Sequence, residues 1–311
     1  MLKFSLCLIL AFVFFVNSAA SQTKFHKKGT LELQLFGGNS EGSSYFGADG
    51  SDMSAMPDYN PMENSTDRNY RYRLSTVNFG IGAEYALTDN IALFGSIPLS
   101  YTSLTEKGDT NYFYEDYNGD MKLDSTTFSR ADLSLFQPDY FALGIKYKLY
   151  DKKAYALIST ECRFPVGTHD GILNDPEYEI LSDGAFQVLF GGAIGVKFKK
   201  IFLETGFTYY SRGEDLVDQY LIHSVFGLST VESTALTAFV DIVQSTEPMN
   251  DVVLFDPRNT TLQEEIIGMG IAVNMTIREK YDIDVGYRLV LSGKNTSKYG
   301  GFFLKVGYLI N

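Results

Sequence analysis

From Gly29 to Asn311 the chain keeps one rhythm: large apolar residues recur at every second position over long stretches. These stretches are separated alternately by two to four polar residues and by much longer acidic segments. Period-two alternation puts one residue set on each face of a β-strand. Val77, Phe79, Ile81, Ala83 and Tyr85 share one face, and Asn78, Gly80, Gly82 and Glu84 the other. Phe141, Leu143, Ile145, Tyr147 and Leu149 oppose Ala142, Gly144, Lys146 and Lys148 in the same way. Near the end, Ile283, Val285, Tyr287, Leu289 and Leu291 oppose Asp284, Gly286, Arg288 and Ser292. With Leu31–Gly38 as the first, the pattern predicts twelve strands in six hairpins. Several exceed ten residues, long for a soluble sandwich and suited to a tilted bilayer crossing. An even number returns both chain ends to one side.

The charges say which face meets lipid. A Lys or Arg on the lipid side at mid-bilayer costs ~2–4 kcal/mol. The charged residues fall on one parity, so their sum would be prohibitive on the outside. Glu84, Lys146, Glu161, Arg163, Glu204, Arg212, Asp284, Arg288 and Lys305 are therefore expected to line a lumen, and the apolar set to face lipid. Arg71 and Arg73 break the rule, because they share parity with Val77. Either they stand above the bilayer or a β-bulge intervenes. The expected fold is all-β: a transmembrane antiparallel up-and-down β-barrel of about twelve strands, with short periplasmic turns and long extracellular loops at 40–67, 103–134, 167–183 and 246–262. Its inward parity is rich in glycine, including Gly80, Gly144, Gly195, Gly270, Gly286 and Gly307. Glycine weakens a strand, so it calls for a reason. Room in a narrow lumen and relief of curvature strain are the two readings.

The first twenty residues read as a cleaved signal peptide. Lys3 is the positive start, Phe4 to Val16 the apolar core, and Ser18-Ala19-Ala20 the small-residue cleavage site. Residues 21–28 form a short periplasmic tail and 29–311 a single barrel domain. No later segment approaches the ~20 apolar residues of a membrane helix. Cys162 stands alone once Cys7 leaves with the signal, so no intramolecular disulfide is expected, and its parity makes it a small lipid-facing hydrophobe. A net charge of −12 argues against nucleic acid as a partner. Tyr and Phe, 21 and 24 of them, must supply the interfacial aromatic belt, because Trp is absent. Outer-membrane lipid is the expected partner, and the oligomeric state is left open.

Two chemical motifs were weighed. Asp116, Asn118, Asp120 and Asp124 place oxygen ligands as in a calcium loop, but Met121 replaces the turn glycine and Thr127 the final acid. A solvated acidic loop is the preferred reading, with weak calcium binding as the alternative; no other cofactor is expected. The three histidines offer no nucleophile–base pair. His223 and Ser224 are adjacent on a strand and point to opposite faces, and His169-Asp170 reads as a loop turn. The chain is not expected to be an enzyme, with a lipid hydrolase a distant alternative.

Three short motifs carry a resemblance. They are Ser96-Ile97-Pro98-Leu99-Ser100-Tyr101, Arg163-Phe164-Pro165-Val166-Gly167 and Leu143-Gly144-Ile145-Lys146-Tyr147. With the strand-end glycines they resemble the outer-membrane family associated with the meta-pathway of phenol degradation, distantly similar to fatty-acid and aromatic-hydrocarbon channels. The resemblance implies a barrel that passes small hydrophobic or aromatic molecules. Pro98 and Pro165, expected near the outer ends of the third and fifth strands, are candidate wall breaks, since proline removes a ladder hydrogen bond. The expected function is a narrow passive channel or transporter. The alternative is a surface barrel with a closed lumen.

Overall fold

The computed structural model describes residues 25–46, 50, 52–53, 71–111, 125–129, 133–138, 140–166, 185–213, 216–231, 233–247, 264–294 and 296–311. The expected signal peptide and the calcium-like loop lie outside these residues, as does His169.

Twelve long strands form the barrel: β1 (Leu31–Phe46), β3 (Arg71–Ala86), β4 (Ile91–Asn111), β7 (Tyr140–Asp151), β8 (Ala154–Pro165), β9 (Gln187–Phe198), β10 (Ile201–Arg212), β11 (Gln219–Val231), β12 (Thr234–Ser245), β13 (Glu265–Ile277), β14 (Tyr281–Lys294) and β15 (Thr296–Ile310). Of three short strands, β2 (Asp52–Met53) and β5 (Ser125–Ser129) pair with the loop-end extensions of β1 and β4, and β6 (Leu133–Pro138) follows β7 along the middle of β4. All neighbours are antiparallel, and β15 pairs with β1 from Leu31↔Ile310 to Phe46↔Thr296, so the sheet closes. Closure removes the unpaired edges that lipid could not satisfy. No helix among the described residues is long and apolar enough to cross a membrane; the strands do the crossing.

The two ends differ. At the turn end, β13 and β14 are joined through Arg278 and Glu279, both with positive φ (54° and 56°), and Lys280 N donates to Ile277 O. Arg278 and Glu279 are the left-handed central residues of the turn that this bond closes, a backbone twist that matches the right-handed twist of the strands. Lys199, between β9 and β10, is also left-handed. At the loop end the strands outrun the expected loops. β1 continues to Phe46 and β4 to Asn111; β5 lies inside the segment expected to be irregular, and β6 begins at its end. Ladder pairing, not membrane depth, sets where these strands stop: Arg71↔Lys107 is still in register with Ala86↔Ala92. No bulge intervenes on the β4 side, so Arg71 and Arg73 lie well beyond the apolar band, Arg71 being six residues or roughly 20 Å of strand past Val77.

The outer surface is apolar. Ile271 is 65% exposed and Ile194 67%. Phe190, Phe207, Leu203, Leu304 and Phe302 are exposed too. Aromatic residues cluster on it in pairs, Phe164 with Phe186 (centroids 5.3 Å apart), Tyr281 with Tyr308 (5.3 Å) and Tyr287 with Phe302 (4.8 Å). They form the belt that tryptophan often makes. Cys162 is half-buried, on the parity of exposed Ile158 and Phe164.

The inward glycines have a third explanation. Six face an inward aromatic ring directly opposite in the ladder: Gly80 faces Phe36, Gly144 Phe94, Gly195 Tyr155, Gly227 Phe202, Gly270 Phe239 and Gly286 Phe303. At each, a Cβ would collide with that ring. The glycine is a seat for its neighbour's ring, which covers backbone that a strand glycine leaves bare. The space is filled, so these positions do not widen the lumen.

Candidate functional site

The interior is layered. At the loop end, Phe46, Leu189, Tyr210, Leu221, Val243, Ile266, Val290 and Tyr299 form one buried apolar cluster. Toward the turn end, Val225, Phe239 and Ala272 form a second, with Phe202 and Phe303 packed on it. Charged side chains lie between and below these clusters.

All nine residues expected in the lumen lie on the inward parity and are at least largely buried. Lys146 Nζ bonds Glu84 Oε2 at 2.5 Å. Arg163 Nε bonds Glu161 Oε1 at 2.6 Å, and its guanidinium lies over the Tyr140 ring, 4.6 Å from the centroid. Tyr155 donates to Glu204 Oε2 at 2.8 Å, and Asn274 donates to Asp284 Oδ1 at 2.7 Å. Lys305 Nζ is 4.0 Å from Glu32 Oε1. Arg212, the last residue of β10, sits at the loop-end rim instead of mid-lumen, where Nε donates to Val217 O at 2.7 Å. Nearby Glu264, just before β13, is pushed up to about 8 because burial outweighs the help of Arg212 and Gln219.

Sequence reasoning missed the centre of the lumen. His223 Nδ1 and Asp241 Oδ1 are 2.5 Å apart, and Arg288 Nη2 is 3.1 Å from Asp241 Oδ2. His223 and Asp241 are each 2% exposed, and Phe239 packs its ring against the imidazole at 5.7 Å between centroids. The signal was there: His223, Val225 and Gly227 alternate on β11, and Asp241 follows Phe239 by two on β12. Cross-strand register, His223↔Asp241, was the missing datum. Ser224 faces the other way, its hydroxyl 3.2 Å from that of Thr205, so the His–Asp pair is not joined to its neighbouring serine.

Of the two prolines, Pro98 is placed differently from the expectation and Pro165 as expected. Pro98 lies in the first half of β4, not near its end. Pairing of β4 with β7 stops at Ser96↔Ala142 and resumes with β6 at Leu99↔Pro138, one residue out of step. Without an amide hydrogen, Pro98 cannot donate to that seam. Pro165 is the last residue of β8, opposite Tyr140. Here proline simply ends the strand.

A closed barrel of twelve strands, apolar outside and charged within, can be compared with solved structures. The chain is similar in fold to an outer-membrane channel from Pseudomonas putida F1. The two are 13% identical, with a TM-score of 0.57, over 94% of this chain and 99% of that one. More remote likenesses are a mutant of the TodX monoaromatic hydrocarbon channel (12% identity, TM-score 0.46, 94% of this chain and 93% of that one) and the NanC porin (6%, 0.47, 89% and 98%). The architecture is that of an outer-membrane β-barrel, and the tie to phenol degradation rests on the sequence motifs alone. No family model and no curated protein matches the chain.

Proposed function

We propose that the protein is a narrow passive channel or transporter of the outer membrane for small hydrophobic or aromatic molecules. The carrying observation is the lumen's composition: apolar and aromatic clusters, with opposite charges paired at Glu84–Lys146, Glu161–Arg163 and Asp241–Arg288. A path for ions is lined by one sign of charge. A lining whose charges cancel locally suits an uncharged solute. The Pseudomonas putida relative in fold is named as a channel, which agrees with this reading. Glu84, Lys146, Glu161, Arg163, Glu204, Asp284, Arg288 and Lys305 then act as the polar lining, Arg212 as a rim residue, and Pro98 as a weak point in the wall. Protein refolded into liposomes should speed entry of a small aromatic alcohol while giving little ionic conductance in planar bilayers. Equal entry with and without protein would refute the proposal.

A second reading has its own support. The eight-residue apolar cluster at the loop end is buried as a core is, which favours a closed lumen and a structural or binding role. Silence in both assays from a folded, heat-modifiable barrel would favour it. The His223–Asp241–Arg288 group we assign to holding the lumen together, not to hydrolysis.

A further inference from the structure

At the turn end of the seam between β15 and β1, three separate segments bring an imidazole and two carboxylates together. His26 lies in the tail before β1, Glu32 on β1 and Asp282 on β14. A ligand atom of each lies within 4.8 Å of the others. Glu32 is 4% exposed and Asp282 7%. They meet because Gly307, paired with Asp282 on β15, has no side chain; a Cβ there would collide with the Glu32 carboxylate. Glu32 thus reaches across β15.

This end of the lumen is crowded with carboxylates. Glu32 and Glu84 stand directly opposite in the β1–β3 ladder, an arrangement that like charges disfavour. Asp282 and Asp284 add two more carboxylates. Against these four stand Lys146, on Glu84, and Lys305, which feels Glu32, Glu84 and Asp284 together. Lys148 is engaged by Asp151 at 3.2 Å. Glu84 Oε1 is buried without a hydrogen-bond partner among the described residues. A divalent cation would offset the repulsion among these carboxylates.

We propose that His26, Glu32 and Asp282 form a divalent transition-metal site, best suited to zinc. One imidazole and two carboxylates, with solvent in the fourth position, are donors zinc takes in tetrahedral geometry, whereas calcium and magnesium prefer oxygen alone. The ion would replace the contact between His26 Nε2 and Glu32 Oε2, now 3.2 Å. Gln34 holds Glu32 Oε2 at 2.9 Å and Thr276 holds Asp282 Oδ1 at 2.8 Å, which orients both carboxylates as outer partners do in metal sites. The bound ion fastens the tail across the mouth of the barrel, where Phe25 already lies beneath Lys148 of β7 (5.3 Å from Nζ to centroid).

The test uses tag-free protein beginning at residue 21, refolded in detergent and stripped of metal. Zinc is titrated calorimetrically, and cobalt is followed by its visible absorption. One equivalent of zinc should bind, and cobalt should give the intense bands of a tetrahedral site. His26→Ala and Asp282→Asn should each weaken binding roughly tenfold or more while the barrel stays heat-modifiable. No stoichiometric binding by the parent protein, or undiminished binding by both variants, overturns the proposal. Neither readout depends on transport, so the result is independent of the channel reading.

Discussion

The glycine seats predict a particular pattern of epistasis, and Gly227 is the cleanest place to look. A Cβ built there has all three of its nearest heavy atoms in the ring of Phe202, its direct partner across the β10–β11 ladder. Overpacking of this kind costs about 1–3 kcal/mol. Replacing a strand glycine recovers about 0.5–1 kcal/mol of backbone entropy. Taking the middle of each range, Gly227→Ala should therefore destabilise by about 1 kcal/mol net. Phe202 is half-buried, so Phe202→Ala should cost less than the ~3–5 kcal/mol of a fully buried ring, about 2–3 kcal/mol. Once the ring is gone, the three closest contacts of the added methyl go with it. The double variant should then match or slightly exceed the stability of Phe202→Ala, a coupling of about 1–3 kcal/mol in favour of the pair. Gly286→Ala is the control, since its Cβ would also lie 2.5 Å from Ile271 O, and no ring deletion removes backbone. Reversible urea unfolding in lipid vesicles measures all of these, with heat-modifiable migration as the check on folding. Additive costs for Gly227→Ala and Phe202→Ala, or a neutral Gly227→Ala, would refute the reasoning.

Other outcomes follow from the same structure. Ile271→Lys, on the lipid face at the middle of β13, should cost ~2–4 kcal/mol in the same unfolding assay. Asp241→Asn leaves the buried Arg288 charge without its partner and should cost ~3–5 kcal/mol, far more than Asp151→Asn at the turn-end surface. Glu264 has its pKa raised from 4.5 to about 8, so the folded barrel is favoured below pH 4.5 and that contribution is lost as pH climbs from there through about 8. Glu264→Gln should flatten the fall in melting temperature across that window, and an unchanged slope would mean that another group sets it.

Strand positions and faces could be read from sequence because membrane energetics act on each residue separately. Ile194 beside Gly195, or Val285 between Asp284 and Gly286, declares its side without reference to any neighbour. Partners could not be read, because they depend on register. Asp241 on β12 gives no hint alone that His223 lies opposite and Arg288 two strands away. Glycine was ambiguous for the same reason. Gly144 looks like spare room until Phe94 is known to face it. Pro98 misled because a short motif suggests a strand end, whereas the strand passes through it with a one-residue slip on a single side.

The positions of the rings suggest why there are six. Each ring–glycine pair joins two strands whose covalent connection is at the loop end: β1 with β3, β4 with β7, β8 with β9, β10 with β11, β12 with β13, and β14 with β15. Five of the six rings lie in the turn-end half of their own strand and Phe303 lies at the middle of β15; at the turn end the two strands of each pair have no connection. The five short turns secure the alternate interfaces at that end. One interface is left, the closing seam of β15 on β1, with neither a turn nor a ring. There Gly307 seats the Glu32 carboxylate instead, and Thr30 Oγ1 bonds Asn311 Oδ1 at 3.0 Å. A polar clasp is weaker than a buried ring in a dry core, yet it alone can be tightened by a ligand. The seam is thus the place where a metal ion would change the barrel most, and Gly307→Ala, which displaces Glu32, should weaken zinc binding and loosen the closure together.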